Sequence, residues 1–297
     1  MVCQREVLSM RPPWHAFFIM TIWNPSIVAF SLGPIEVRWY SLCWCIGLAL
    51  AYVVVYKLYK RQGIPHEKFD PLFLYCFIGI LAGARLGHCL LYEPGYFLSH
   101  PLEMLLPMHK MADGSWKFTG YAGLASHGGT LGLMIALWLY VRRTKVNLMR
   151  VLDNIAIATP ICACFIRLGN LMNSEIVGKY TGTDMGFVFV QLHETMPRYP
   201  AQLYEAIAYL VLFVVGVLIY FKRPQRVGSG FYFGYCLTTI FVFRFVVEFL
   251  KEVQEPWELA MQHTIGLDQG QLLSIPFVLI GIYCMCGGKW CKRFAEK

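Results

Sequence analysis

Five side chains capable of acid–base or anion chemistry stand inside runs of apolar residues: Arg85, His127, Arg167, Arg244 and Glu248. Placing Arg or Glu at the middle of a membrane helix costs about 2.5–3.5 kcal/mol on insertion scales, so such groups must face a protein interior or a wet cavity. Arg244 and Glu248 are four residues apart, share a helix face, and are expected to pair. Taken alone, that pair reads as a structural bridge. Three arginines and a histidine against one or two carboxylates leave an excess of positive charge that calls for an anion. A guanidinium presents a planar fork suited to phosphate, so the balance points to a phosphorylated lipid headgroup entering sideways from the membrane. His127 opens a span in Ser126-His127-Gly128-Gly129. It reads either as a hydrogen-bonded structural group or as a base or headgroup ligand.

The elements that must hold these groups are membrane helices. The chain has 297 residues, 57% hydrophobic and 15% charged, with mean hydropathy +0.50, where soluble domains carry about 25% charged residues. The expected fold class is all-α and polytopic. About seven spans of the roughly 20 residues needed to cross a bilayer are expected near 37–58, 71–92, 124–141, 153–171, 202–221, 230–250 and 271–288. Basic residues cluster between alternate spans: Lys57, Lys60, Arg61 and Lys68, then Arg142, Arg143, Lys145 and Arg150, then Lys222, Arg223 and Arg226, then Lys289, Lys292, Arg293 and Lys297. By the positive-inside rule that face is cytoplasmic, as is the C-terminus. The net charge of +8 is therefore a topology signal, and no nucleic-acid partner is expected.

The domain layout expected is an outside-facing leader at 1–36, with translation starting at Met1 or at Met20, a membrane domain at 37–288, and a basic cytoplasmic tail at 289–297. Residues 14–32 suit a short signal-like or interfacial segment. The outer segment 93–123 suits an interfacial helix and loop on the membrane surface. Residues 172–201, with Phe187-Val188-Phe189-Val190 favouring a strand, suit a small head. Gly79, Gly83 and Gly87, then Gly128, Gly129 and Gly132, suit close helix packing or backbone approach to a ligand. The cysteine pairs Cys43/Cys45, Cys162/Cys164 and Cys284/Cys286 point to different helix faces and read as apolar filler.

The sequence resembles the prolipoprotein diacylglyceryl transferase family. The resemblance rests on Trp39-Tyr40, the Gly83–Gly87 block around Arg85, His127-Gly128-Gly129, the block from Arg167-Leu168-Gly169-Asn170 to Glu175-Ile176-Val177-Gly178, Arg198-Tyr199-Pro200 to Tyr204-Glu205, Arg244 to Glu248-Phe249, and Gly270-Gln271 to Pro276. It implies a seven-span enzyme of the bacterial inner membrane with a small periplasmic head. The implied reaction moves the diacylglyceryl group of phosphatidylglycerol to the lipobox cysteine thiol of a prolipoprotein signal peptide. Glycerol 1-phosphate is released, without metal, ATP or other cofactor. Arg167 and Arg244 are expected to bind phosphate, Arg85 to be a third partner, Glu248 to orient Arg244, and His127 to act as base or headgroup ligand. Tyr40, Asn170 and Glu175 are expected to position headgroup oxygens, and Gly178 to give backbone access. Where the family usually has a second glycine, this chain has Ser174. Another membrane acyltransferase, or a transporter of a phosphorylated substrate, is the alternative reading.

Overall fold

The computed structural model describes residues 20–33, 35–106, 108–111, 114–118, 123–252, 264 and 266–295. Seven helices dominate: α1 Trp39–Arg61, α2 His66–Leu91, α3 Ser126–Thr144, α4 Leu148–Met172, α5 Ala201–Lys222, α6 Phe231–Glu248 and α7 Gln269–Met285. Each falls on an expected span. Among the described residues, α1, α2, α4, α5 and α6 are long and apolar enough to cross a membrane, and α7 is a shorter apolar helix. The protein is thus a mostly helical, polytopic membrane protein. To the all-helical expectation the structure adds strands β1 Met20–Trp23, β2 Val28–Leu32, β3 Ile35–Arg38, β4 Met108–Lys110, β5 Trp116–Phe118 and β6 Gly186–Phe189, paired in two-stranded sheets.

Helix ends follow local chemistry. Asn147 caps α4 by accepting from the Arg150 amide, and Asp268 and Gln271 form a reciprocal capping box at the start of α7. α3 begins after Ala125, with no side chain capping it. α4 is the central helix, half buried along its most apolar window, and it packs against α1, α5 and α6. Its buried Asp153 accepts from the amides of Gly228, Gly230 and Phe233, fixing the turn that starts α6.

α2 and α3 meet along a seam of glycines. A Cβ on Gly83 or Gly128 would collide with the other's carbonyl oxygen, and one on Gly87 would lie 2.7 Å from the Gly128 Cα. Of the two readings of these glycines, close packing is the one the structure bears out. Outside the long helices, Pro94–Phe97 and Pro101–Leu105 are short helices that expose Leu98, Leu102 and Leu105 while burying Phe97 and Glu103. The expected strand in the head is β6. It pairs in parallel with β1, Met20 opposite Gly186 and Trp23 opposite Phe189, and Trp23 Nε1 donates to the Leu171 carbonyl at 2.9 Å. In the N-terminal segment β1 is therefore bound to the head, whereas β2 pairs antiparallel with β3 just before α1, and 1–19 lies outside the described residues.

Gly83→Ala should lower stability by about 1–3 kcal/mol, the usual cost of overpacking, measured by thermal unfolding in detergent. An unchanged melting temperature would discard the seam as a determinant of the α2–α3 pair.

Candidate active site

One end of the bundle carries a polar cavity of about 390 Å³ where the ends of four helices converge. Ser126 and His127 come from the first turn of α3, Arg167 from the end of α4, Arg244 and Glu248 from the last turns of α6, and Gly270 and Leu273 from the start of α7; Lys251, Glu252 and Asp268 complete the wall. The expected meeting of Arg167, Arg244, His127 and Glu248 is therefore found.

Its wiring differs from the expected one. Arg167 Nε lies 2.9 Å from Glu205 Oε2 of α5, a carboxylate with no exposed side-chain surface. The other oxygen of Glu205 accepts from Lys251 Nζ at 3.1 Å, and the same ammonium reaches Glu248 Oε2 at 3.2 Å. Glu248, expected to orient Arg244 one turn away, instead turns to Lys251. Among the described residues no ion pair within 4 Å holds Arg244. The reason is register: at the end of α6, Lys251 three residues on reaches Glu248 while also satisfying Glu205. The surplus positive charge is correspondingly smaller than the sequence suggested. Arg167 and Lys251 are matched by Glu205 and Glu248, and Arg244 is the cation of this wall with no carboxylate within 4 Å among the described residues.

Beyond Arg167 a chain of hydrogen bonds runs into the head. Arg167 Nη1 donates to Asn170 Oδ1 at 3.2 Å, Asn170 Nδ2 to Glu175 Oε2 at 3.1 Å, and Asn173 Nδ2 to Glu175 Oε1 at 3.0 Å. Gln202 donates to the Glu175 carbonyl. Glu175 thus sets Asn170, which sets Arg167. Tyr40, at the start of α1, lines a second and mostly apolar cavity of about 450 Å³, together with Asn170, Tyr209 and Ile240. Arg167 and Ile176 belong to both cavities and form the wall between them.

Two expected substrate contacts sit elsewhere. Arg85 is buried against the interfacial segment, donating to the carbonyls of Glu103 at 2.7 Å and Met104 at 3.2 Å, with its guanidinium 4.7 Å from the Phe97 ring centre. It does not line either cavity, because its reach from mid-α2 is taken up by those carbonyls. Gly178 bridges to Lys251, and a Cβ there would meet Tyr199 and the Leu250 carbonyl. Protein, not ligand, occupies the space it leaves.

The sequence reading passed over Glu205 and Lys251. Glu205, like Arg244, is a charge inside an apolar run, and that signal applies to it equally. Lys251 lies just past its span and carried no such signal. The head supplies one more clamp. Arg198 donates to Glu194 Oε1 from Nε and Nη2 and to Glu252 Oε2 from Nη1, the last at 2.6 Å, while stacked on Tyr180. The Tyr180 hydroxyl, hydrogen-bonded to Glu194, and then Arg198 hold that carboxyl below the ordinary carboxylate value.

The profile of the family described as prolipoprotein diacylglyceryl transferase matches residues 27–286. The chain belongs to that family. It is 58% identical over 263 residues to the phosphatidylglycerol–prolipoprotein diacylglyceryl transferase of Bacteroides fragilis, covering 89% of this chain and 93% of that protein. The same enzyme of Tolumonas auensis is 42% identical, with 90% of this chain and 96% of that protein covered. That of Porphyromonas gingivalis is also 42% identical, with 88% and 92% covered.

The turn that follows α4 carries Ser174. Its backbone is left-handed, φ 55°, its side chain is buried, and its Oγ has no hydrogen-bond partner. A left-handed residue costs about 1–2 kcal/mol unless it is glycine. Ser174→Gly, which removes that cost, should raise stability by about 0.5–1 kcal/mol, read as a higher unfolding temperature; a drop would contradict the strain. Glu205→Gln should do the opposite, destabilising by about 3–5 kcal/mol because it leaves Arg167 and Lys251 under-compensated. Wild-type unfolding of that variant would show that the shared carboxylate is dispensable.

Proposed function

We propose that the polar cavity binds the headgroup phosphate of phosphatidylglycerol and there transfers the diacylglyceryl group to the lipobox cysteine thiol of a prolipoprotein. The observation that carries the assignment of the site is Arg244, a guanidinium with no carboxylate partner among the described residues, in a cavity it shares with Arg167 and His127. The start of α3, which its N-cap residue Ala125 does not cap through a side chain, brings first-turn amides and the positive end of a helix dipole to the same wall.

The thiol sulfur attacks the glyceryl carbon, the new carbon–sulfur bond forms as the carbon–oxygen bond to phosphate breaks, and glycerol 1-phosphate leaves with the electron pair. Arg244 stabilises the charge growing on the leaving phosphate, an electrostatic role that preorganised donors fill well in a water-poor site. Arg167, anchored by Glu205 and Asn170, presents its remaining guanidinium edge as the second donor. A thiol of pKa about 8.5 is only slightly ionised near neutrality, so it must lose a proton, and His127 is the group in the cavity suited to take it. Glu248 acts on the site through Lys251. Tyr40 and Asn170 face the neighbouring apolar cavity, which suits the lipid's glyceryl and acyl portion.

In this reading the cavity end faces the periplasm, with 172–201 as the head, and the basic loops and the tail at 289–297 face the cytoplasm of the inner membrane. Purified Arg244→Ala should release glycerol phosphate from phosphatidylglycerol, in the presence of a lipobox peptide, about 10²–10³-fold more slowly than wild type, the usual cost of one such donor. Arg244→Lys should recover part of the loss. The peptide product should survive hydroxylamine, as a thioether does and a thioester does not. Near-normal turnover in Arg244→Ala would remove the assignment.

A further inference from the structure

At the opposite end of the bundle, α1 and α5 both pack on α4 without closing on each other, leaving a groove of about 530 Å³. Its walls are Val54, Phe213, Val217 and Phe221, and its floor is Leu58 and Tyr220, which pack against Ile157 of α4. The mouth is different in kind. Lys57, Lys60 and Arg61, all exposed on the last turns of α1, line it. None of the three has an ion pair among the described residues. Arg61 lies over the Phe221 ring, 4.6 Å from its centre, which fixes one cation at the groove's edge. Lys222 and Arg223 end α5 on the same side. Of the described carboxylates at this end, Asp70 is paired with His66 and Asp153 is turned onto backbone amides, leaving Glu67 exposed on α2.

We propose that this groove is a binding site for an anionic phospholipid of the leaflet at the basic end, separate from the active-site cavity. α1 and α5 are both long and apolar enough to span a membrane, so the groove opens toward hydrocarbon and its cationic mouth lies at headgroup level. An acyl chain fills the apolar part, and the phosphate sits among Lys57, Lys60 and Arg61. Basic pockets between membrane helices recognise anionic headgroups in this way. The basic-loop topology signal needs only positive charge near the surface. It does not require an open apolar cleft directly beneath three unpaired cations. Gln62 and Asn154 exchange hydrogen bonds here, at 2.6 and 3.1 Å, tying the mouth to the start of α4. That places it roughly 20 Å along α4 from Arg167, at 1.5 Å rise per residue.

The test uses the full-length protein in nanodiscs of phosphatidylcholine doped with phosphatidic acid, an anionic lipid without the glycerol headgroup. Lipids retained after ejection are counted by native mass spectrometry. Wild type should keep one phosphatidic acid in preference to phosphatidylcholine. The triple variant Lys57→Gln, Lys60→Gln, Arg61→Gln should hold it on the order of a hundredfold more weakly, about fivefold for each charge. Val217→Trp, which fills the groove and leaves the charges, should lose the same lipid, whereas Arg244→Ala should keep it. Retention by the triple variant overturns the site. So does loss in the triple variant with full retention in Val217→Trp, which would show surface attraction without a groove.

Discussion

One carboxylate with no route to water holds the active end of this protein together. Glu205 sits on α5, yet its two oxygens serve Arg167 from α4 and Lys251 from the chain leaving α6. A buried charge is tolerated only when matched, so three separate elements are locked to one point by electrostatic necessity. Lys251 extends the lock to Glu248, and Arg167 extends it through Asn170 to Glu175 and the head. The cavity owes its shape to this compensated framework, and among its described lining residues Arg244 is the guanidinium that stands outside it. Structural and ligand-facing charge are thus divided among neighbours that look interchangeable in the sequence.

That division explains what was legible beforehand. Helix number and position follow from apolar run length and basic loops, and each long helix lies within a few residues of its expected span. The gathering of Arg167, Arg244, His127 and Glu248 also followed, because charges in a bilayer must share an interior. Their pairing did not. Spacing of four suggested Arg244 with Glu248, but a partner three residues on, outside the span, competes for the same carboxylate and also relieves Glu205. Which of two nearby cations wins depends on a third residue more than forty positions away along the chain, and periodicity carries no such information. Arg85 misled for a related reason. Arg85 is buried as expected, but it donates to the carbonyls of an interfacial segment, and sequence does not reveal where those carbonyls will lie.

The glycines show the reverse case. Both of their possible roles were visible, and only coordinates separate them. Gly83, Gly128 and Gly132 bring α2 and α3 to backbone contact, which fixes where α3 begins and hence where His127 stands. Gly178 makes room for Tyr199 and Leu250, joining the head to the chain after α6. Small residues here govern the site at one remove, through the helices and strands they let approach.

Ile176 has a left-handed backbone, φ 57°, which a β-branched side chain strongly disfavours. It is also, with Arg167, the partition between the polar and the apolar cavity. A wall residue in a conformation costing about 1–3 kcal/mol keeps its place only while its surroundings insist on it. The surroundings are the head, braced by Glu175 and by the Arg198 clamp. Loosening the head, even at a distance from either cavity, would let that segment relax and merge two compartments that differ in kind, one polar and one apolar.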